Sequence, residues 1–193
     1  MIPADALLSA YASGWFPMAV APGEIRWYSP DPRGVIPLDT FHVPSRLSRS
    51  LRSRPFEIRV DTSFAAVITA CAERPDGDGN WIDGEIIESY IALHQQGHAH
   101  SVEAWRDGAL VGGLYGVALK GAFFGESMFH RVTDASKAAL VALVERLHAR
   151  RYSLLDTQWV TDHLQQFGAI EITRRRYLRL VDQALDVDVT FAD

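Results

Sequence analysis

Gly121 to His130, GAFFGESMFH, run directly into a helix-forming segment that begins near Asp134, and the rest of the chain can be interpreted outward from this junction. The pattern predicts a strand, a loop and the start of a helix. The two glycines allow another chain or a ligand to approach the backbone closely. Phenylalanine and methionine side chains surround one carboxylate, that of Glu126. This combination predicts a slot for an apolar side chain with a negative charge at its rim.

Length and composition predict a globular protein with one core of good size, or a main domain joined to a small N-terminal one. The chain has 193 residues, of which 48% are hydrophobic. It has no apolar run near the ~20 residues that a membrane-spanning helix needs, and its start lacks the basic and then apolar order of a signal peptide. Its single cysteine, Cys71, excludes an internal disulfide. These features predict a cytoplasmic protein with no membrane partner.

Arginines supply nearly all of the positive charge, and several crowd one short segment. The formal net charge of -5 argues against a chain that binds nucleic acid through its overall charge. The crowded arginines are Arg46, Arg49, Arg52, Arg54 and Arg59. Helical spacing would place the first three on one face, where their guanidinium groups could bind phosphates. The alternative is an ordinary solvated face.

Hydrophobic periodicity predicts a mixed α+β fold. Helices are predicted over residues 4–13, 44–53, 64–73, 83–96, 134–150 and 161–167, and strands over 56–60, 99–106, 110–120, 122–128, 153–158 and 170–172. Asp134 or Thr133 is expected to cap the long helix, and a loop is expected at 74–79.

This order of elements resembles the acyltransferase fold shared by the GCN5-related N-acetyltransferases. Those enzymes bind a pyrophosphate through a glycine-rich loop between a strand and the next helix. Here that place holds GESMFHRVTDASK, residues 125–137, which lacks paired, close-set glycines. Coenzyme A is therefore disfavoured, and no cofactor is expected.

A series of short motifs then resembles one family. In chain order they are SPDPR at 29–33, WI at 81–82, HAHSVE at 98–103, LVGGLYG at 110–116, GESMF at 125–129, ASK at 135–137, LDTQ at 155–158 and FGA at 167–169. Together they resemble the leucyl/phenylalanyl-tRNA–protein transferases over most of the chain, from about Leu8 to Tyr177. The resemblance implies a small, reduced N-terminal domain, 1–38, joined to an acyltransferase-like catalytic domain, 39–193, that uses no coenzyme A.

The same resemblance implies a reaction and a set of partners. The substrate would be aminoacyl-tRNA, which gives leucine, phenylalanine or, less well, methionine to the α-amine of a protein that begins with arginine or lysine. The new N-terminus would mark that protein for degradation. The apolar slot for the transferred side chain would be formed by Leu114, Phe123, Met128, Leu140 and Leu155.

Other residues are implied to complete the site. Trp81 would stack on the terminal adenosine, and Met18 stands where an aromatic partner is expected. Ser127 would also contact the substrate. Glu126, Asp156 and Gln158 match the acidic and amide groups of the family's reaction centre.

Chemical reasoning assigns roles to these polar residues. Attack of an amine on an ester needs a neutral amine, close approach and stabilisation of the oxyanion. Period two places Asp156 and Gln158 on one side of a strand. We expect Asp156 to relay the proton of the amine and Gln158 to orient the amine or the ester. Glu126 would bind the basic side chain of the acceptor or steady its amine, and the alternative is a structural pair with Arg131 or Lys137.

Two local expectations concern the facing of Phe123 and Glu126 and the partner of Arg33. Phe123 and Glu126 differ in strand parity, so a regular strand would point them to opposite faces. A bulge near Gly125 would let both line one cleft. Arg33 ends a proline-rich turn and is expected to pair with Asp31.

Other functions stay open from the residues alone. One alternative is a coenzyme A-dependent N-acetyltransferase, and another is a non-catalytic reader of basic N-termini that uses Glu126 and Asp156 as an acidic cup. A metal site is not expected. His98 and His100 would share a strand face, but no third ligand has suitable spacing.

Overall fold

A computed structural model describes residues 1–53, 55–73 and 81–192, so Arg54 and the predicted loop at 74–79 lie outside the described residues. Within the described residues the chain forms seven α-helices, a short 3-10 helix at Leu38–Thr40 and two sheets. The predicted α+β class is confirmed.

The N-terminal part consists of one helix and a hairpin. Helix α1 spans Ala4–Ala12, and strand β1, Phe16–Ala21, pairs antiparallel with β2, Glu24–Tyr28. Gly14 makes the turn between α1 and β1 with φ 80°. A Cβ at this position would lie 2.7 Å from the side chain of Leu178, so only glycine allows the N-terminal part to pack this closely.

Seven strands form the main sheet. They are β3 (Arg33–Ile36), β4 (Glu57–Val60), β5 (Ala99–Arg106), β6 (Ala109–Leu119), β7 (Ala122–His130), β8 (Leu154–Gln158) and β9 (Ile170–Ile172). Their spatial order is β4-β5-β6-β7-β8-β3-β9. All neighbours are antiparallel except β7 and β8, which are parallel. Three antiparallel strands, a helix and a strand parallel to the third make up the acyltransferase-like order that the periodicity predicted.

Strand β3 was not predicted, because its four residues lie between Pro32 and Pro37 and show no usable periodicity. It pairs with β8 through Val35 and Asp156 and with β9 through Gly34 and Glu171. Its residues therefore lie in the large sheet although they precede residue 38. The division into 1–38 and 39–193 stays a prediction.

The remaining helices cover both faces of this sheet. They are α2 (Ser45–Ser53), α3 (Phe64–Ala72), α4 (Gly84–Gln95), α5 (Ala135–Ala149), α6 (Asp162–Gln165) and α7 (Arg174–Leu185). Asp83 caps α4 by accepting the N–H of Ile86 at 2.9 Å. Asp134 occupies the N-cap position of α5, one of the two residues predicted for it, but its carboxylate makes no capping hydrogen bond and accepts from Ser50 and Lys137 instead. Within the described ranges no helix is both long and apolar enough to cross a membrane.

The core of the described residues consists of two large clusters, one on each face of the sheet, and a small third cluster of Ala104, Val111 and Ala135. One large cluster contains buried side chains of α1, α3, α4 and α7, and the other contains those of α5 together with Leu47 of α2. Strand β6 contributes to both, since Tyr115 packs in the first cluster and Leu114 in the second. This alternation is what a strand covered on both faces requires.

The predicted bulge in β7 is present. Tyr115 pairs with Ser127 but Gly116 pairs with Gly125, so Glu126 is the extra residue. A Cβ on Gly116 would lie only 2.3 Å from the carbonyl oxygen of Phe124, so the strands approach this closely only at a glycine. The close approach at the bulge therefore explains Gly116, whereas Gly112 lies against Ala135 of α5 and Gly113 against the carbonyl oxygen of Val102.

We expect from the sequence that the bulge brings Phe123 and Glu126 to one face, but in the structure the two side chains lie on different faces. Phe123 packs in the cluster with Leu114, whereas Glu126 hydrogen-bonds to Tyr11 of the other cluster. The extra residue instead restores Met128 to the face of Phe123. The side chain of Glu126 lies at an opening in the sheet, where it contacts Tyr11.

This opening forms because β7 and β8 pair over a short length only. Ala122, Phe123 and Phe124 pair with Leu154, Leu155 and Asp156 respectively. Beyond Phe124 the two strands have no further paired residues, and β7 continues along β6 while β8 continues along β3. Parallel strands that stop pairing leave a gap in the sheet, and the functional residues surround this gap.

Candidate active site

A cavity of about 780 Å³ occupies the gap between β7 and β8. It is lined by most of the residues that the sequence predicted for the site: Met18, Trp81, Leu114, Glu126, Ser127, Met128, Leu140, Leu155 and Gln158. Phe123 and Asp156 do not line it. The structure thus brings residues of β1, β6, β7, α5 and β8 to one hollow.

The apolar wall of the cavity is formed by β6, β7, α5 and β8. Leu143, which the sequence analysis did not select, adds to this wall one turn after Leu140. Phe123 is fully buried beneath the wall, against Gly116, and its ring stacks on Phe191 at 5.1 Å between centroids. Phe123 therefore supports the slot from below and does not contact a ligand in the cavity.

A second wall comes from the N-terminal hairpin. Met18 lies in β1, and the next residue, Ala19, donates its N–H to the carbonyl oxygen of Trp81 at 3.0 Å. Met18 and Trp81 therefore adjoin in the wall. Trp159, which the sequence analysis also missed, lines the same cavity, and its side chain is 42% exposed. Its ring packs edge-on against Phe16 of β1 at 5.2 Å.

Glu126 is a buried ionisable residue in the lining of the cavity. Its Oε1 accepts hydrogen bonds from Tyr11 at 2.7 Å and from the Nε2 of Gln158 at 2.8 Å, and Tyr11 in turn hydrogen-bonds to Tyr90. Its Oε2 is buried and has no hydrogen-bond partner within the part of the chain that the structure describes. The alternative pairings are not formed, since Arg131 pairs with Glu73 and Lys137 with Asp134.

The surroundings of Glu126 favour its protonated form. Burial, assisted by the nearby charge of Asp156, raises its pKa to about 8 against the hydrogen bond from Tyr11, which acts to lower it. Burial also raises the pKa of Tyr11 well above its usual value, and the Glu126 carboxylate adds to this. Tyr11 therefore stays a hydrogen-bond donor near neutral pH. A cation that binds in the cavity would favour the ionised Glu126.

Asp156 lies behind the cavity in an ion pair with Arg33. Arg33 donates from Nε to Oδ1 at 3.0 Å and from Nη2 to Oδ2 at 2.6 Å, and both side chains are buried. Tyr177 donates to Oδ2 at 2.9 Å. Burial acts to lower the pKa of Arg33, but the Asp156 carboxylate more than offsets this and raises it. The expected pair between Arg33 and Asp31 is wrong, because Asp31 accepts the N–H of Arg174 instead.

Gln158 ends β8 in a tight turn. Its φ is 65°, and the N–H of Trp159 donates to the carbonyl oxygen of Thr157 at 2.7 Å, as in a γ-turn. The N–H of Gln158 donates to Oδ1 of Asp156 at 2.8 Å. The turn aims the amide of Gln158 across the gap to Glu126. Asp156 therefore helps to hold the turn that Gln158 forms, but only the side chain of Gln158 reaches the cavity.

The predicted phosphate-binding arginines lie outside the cavity. Arg46, Arg49 and Arg52 are exposed on α2, as helical spacing predicted, and Arg52 hydrogen-bonds to Ser48. Helix α2 is linked to the cavity through Ser50, which donates to Asp134 in the lining. The helix therefore presents its positive charge next to the cavity.

Histidine, cysteine and acidic side chains form no group of three that could hold a metal ion among the described residues. His100 is buried, with Nδ1 bonded to Asp61 and Nε2 to the carbonyl oxygen of Gly97. These contacts give His100 a structural role.

Besides Leu143 and Trp159, four residues of the hydrogen-bond networks around the site were missed at the level of sequence: Tyr11, Arg33, Tyr90 and Tyr177. Each makes its contact with a residue far away along the chain, so local periodicity does not indicate it. Arg33 was visible as the end of the SPDPR motif, and its short strand was the missing information.

Comparison with known proteins gives one family over nearly the whole chain. The family model described as Leucyl/phenylalanyl-tRNA protein transferase matches residues 35–182, and the model of that protein's N-terminal domain matches residues 1–31. A Leucyl/phenylalanyl-tRNA--protein transferase of Akkermansia muciniphila is 55% identical over 184 residues, covering 94% of this chain and 95% of its own. The protein of the same name from Nitrobacter winogradskyi is 58% identical, covering 96% of this chain and 84% of its own.

Solved structures show likeness of fold alone. The structure of L-PGS from Bacillus licheniformis aligns with a TM-score of 0.50 and 9% sequence identity, over 94% of this chain and 70% of that one. The sequence matches, and not this likeness, indicate the family.

Proposed function

The chain belongs to the leucyl/phenylalanyl-tRNA–protein transferase family, and from this premise we propose that the cavity between β7 and β8 is the site of its reaction. The family activity is transfer of an aminoacyl group from aminoacyl-tRNA to a protein. The aminoacyl side chain would lie against Leu114, Met128, Leu140 and Leu155, because an apolar wall favours leucine, phenylalanine and methionine.

The observation that carries this proposal is the state of Glu126. One carboxylate oxygen is held by Tyr11 and Gln158, and the other is buried at the cavity without a partner among the described residues. A buried carboxylate oxygen that lacks a hydrogen bond is unfavourable unless a ligand supplies one. The α-ammonium group of an acceptor protein supplies both a donor and a positive charge. We therefore propose that Glu126 binds the α-ammonium group of the acceptor protein.

The reaction then follows from the positions of these groups. The acceptor ammonium gives one proton to Glu126, and its nitrogen then attacks the ester carbonyl to form the C–N bond. As the ester C–O bond breaks, the second proton that leaves the nitrogen passes to the ribose oxygen, which is released as the hydroxyl. Glu126, with a pKa of about 8, is suited to take the proton from an amine of similar pKa. Gln158 orients Glu126 and presents an amide at the reacting groups. The proton-relay role assigned to Asp156 stays a hypothesis, and its buried pair with Arg33 favours Glu126 instead.

Further parts of the assignment concern the two substrates. We propose that Trp81 and Met18 contact the terminal adenosine and that Ser127 contacts the substrate. The tRNA phosphates would be bound by Arg46, Arg49 and Arg52. The protein partner is one that begins with arginine or lysine, and its new N-terminus marks it for degradation in the cytoplasm. These finer points rest on the family resemblance and on the acidic, partly apolar character of the cavity.

One assay tests the proposed function against its alternatives. Labelled leucyl-tRNA is mixed with a peptide that begins with arginine, and the extended peptide is measured by mass. A peptide with an acetylated N-terminus is the matched control, and a parallel reaction contains acetyl coenzyme A. Extension of the free peptide by leucine supports the proposal. Acetylation alone, or binding of the peptide without extension, contradicts it.

A further inference from the structure

We propose that Arg33 is a positioning residue of the transfer reaction, which acts through Asp156 to hold the turn that aims Gln158 at Glu126. This inference rests on the proposed function, because it assigns a role within the same site. It gives Asp156 a purpose other than proton transfer. Arg33 itself does not line the cavity.

Arg33 is one of the most completely enclosed side chains among the described residues, with 1% of its surface exposed. Its guanidinium lies over the rings of Phe16, at 4.9 Å, and Tyr177, at 4.3 Å. Its Nη1 donates to the carbonyl oxygen of Gly14 at 2.9 Å. The guanidinium therefore joins the N-terminal part, α7 and β8. A buried charge with this many directed contacts is fixed in place.

The oxygens of Asp156 are fully used by these neighbours. Oδ1 accepts from Nε of Arg33 and from the N–H of Gln158, and Oδ2 accepts from Nη2 of Arg33 and from Tyr177. Asp156 has 0% exposure and does not line the cavity. A carboxylate in this position can hold backbone, but it has no open path to a substrate amine.

The turn at Gln158 needs such a holder. Its φ of 65° lies in a region that residues other than glycine rarely adopt, so the surrounding contacts must maintain it. The bond from the Gln158 N–H to Asp156 is one such contact. The second is at Gly34, where a Cβ would lie 2.5 Å from the carbonyl carbon of Trp159. The glycine lets β3 press directly against the turn.

The consequence is a continuous chain of contacts from Arg33 to the reaction centre. Arg33 fixes Asp156, Asp156 fixes the backbone of Gln158, and the Gln158 amide reaches Glu126 at 2.8 Å. Loss of Arg33 alone would leave the Asp156 carboxylate buried without its partner charge and would disturb its bond to the Gln158 N–H, so it would affect the rate of transfer more than the binding of aminoacyl-tRNA. If Asp156 instead relayed the proton, its carboxylate would be required for the reaction, and a side chain that only holds the backbone of Gln158 could not replace it.

A charge-neutral double variant separates the two roles. Asp156→Asn alone leaves the guanidinium of Arg33 buried without its partner charge, so we expect a lower Tm and a loss of kcat of at least about a hundredfold. Arg33→Met combined with Asp156→Asn removes both charges, while the new amide oxygen still accepts the N–H of Gln158. We expect the double variant to recover kcat to within about tenfold of the wild type, with KM for leucyl-tRNA nearly unchanged.

The opposite result would overturn the proposal. A folded double variant that is as inactive as Asp156→Asn alone would show that the carboxylate is required for the chemistry. Arg59→Met is the control, because Arg59 pairs with Glu57 on the surface, and its kcat should equal that of the wild type. If the wild type itself transfers no leucine, the proposed function fails, which is a different result from failure of the rescue.

Tyr177→Phe provides an independent test if the double variant does not fold. It removes the donor to Oδ2 of Asp156 but keeps the ring over Arg33. We expect a threefold to tenfold loss of kcat, which is less than the full effect of a hydrogen bond to a charged group because Arg33 still holds Asp156, with an unchanged pH dependence. A shift in the pH dependence would assign the proton to Asp156 and contradict the positioning role.

Discussion

Glu126 combines a proton-binding group with a place for a cation, and this explains how a cavity with apolar walls can hold a charged acceptor. Its pKa is raised to about 8 by burial, so at neutral pH the free protein holds it mainly protonated. An arriving ammonium group favours the ionised form. In the proposed mechanism, binding of the acceptor would therefore convert Glu126 into the base that the transfer step needs.

We predict that kcat/KM for the acceptor rises from pH 6 to about pH 8 in the wild type as Glu126 ionises and then falls as the acceptor ammonium loses its proton, because the proposed step needs the carboxylate and the ammonium together. Glu126→Gln, which keeps the shape of the side chain, should lower kcat/KM by about a hundredfold or more. Its remaining activity should follow the pKa of the amine alone. Initial rates at fixed ionic strength would show this. A variant with wild-type rate and pH dependence would remove Glu126 from the mechanism.

The same residue links stability to pH. The pKa of Glu126 is raised in the folded state, so the folded protein binds more protons than the unfolded chain between about pH 4.5 and pH 8. Stability is therefore lost as the pH rises through this window. We expect Glu126→Gln to raise Tm by several degrees at pH 9 and to leave it nearly unchanged at pH 4. Equal Tm differences at both values would contradict the raised pKa.

Trp81 supplies the clearest test of the nucleotide contacts. Stacking of a base on an aromatic ring is worth about 1–3 kcal/mol, so Trp81→Leu should raise KM for aminoacyl-tRNA by about 5- to 150-fold. KM for an aminoacyl methyl ester, which has no base, should not change. Trp27→Leu is the matched control, since Trp27 is exposed and does not line the cavity. An equal effect on both substrates would place the base elsewhere.

At the level of elements, the sequence predicted best what depends on local pattern. The hairpins from β5 to β7 and the helix α5 follow from turn dipeptides and periodic apolar residues, so their positions agree with the structure within a few residues. Most of the cavity could be predicted because the family motifs place its residues on these elements. The buried pair of Arg33 and Asp156 could not, because its partners are 123 residues apart and β3 is too short to recognise.

The bulge in β7 is the element-level feature on which the site depends. Gly116→Ala would place a Cβ 2.3 Å from the oxygen of Phe124, so we expect it to lower the free energy of unfolding by about 1–3 kcal/mol and to disturb Glu126. Gly84→Ala is the control, because a Cβ there meets nothing within 4 Å at the start of α4. Denaturant unfolding and transfer rates measure both effects. Equal stability of the two variants would contradict the close approach.

At the scale of the whole molecule, a negatively charged protein must bind a polyanion. The exposed arginines of α2 offer a local solution, because they lie beside the cavity although the net charge is -5. Phosphate contacts position a nucleic acid without reading its sequence. In the proposed arrangement the tRNA body would bind on α2, and the aminoacyl group would be recognised separately in the cavity of the sheet.

We predict that replacing Arg46, Arg49 and Arg52 with glutamine weakens the binding of aminoacyl-tRNA and reduces the slope of log K against log salt by about one unit per arginine. Arg59→Gln is the control, because Arg59 is already paired with Glu57 and lies over Trp105. Filter binding over a range of salt concentrations would measure the slopes. An unchanged slope in the triple variant would place the phosphate contacts on another surface.

The most direct measurement of the central claim is the ratio of phenylalanyl to leucyl transfer after the cavity has been narrowed. Leu140→Phe adds a ring inside the cavity, whereas Leu147→Phe adds the same ring on the same helix at a buried position that does not line it. If the aminoacyl side chain lies in this cavity, Leu140→Phe lowers kcat/KM for phenylalanyl-tRNA at least about tenfold more than for leucyl-tRNA, and Leu147→Phe leaves the ratio unchanged. An unchanged ratio in Leu140→Phe would show that the transferred side chain binds elsewhere.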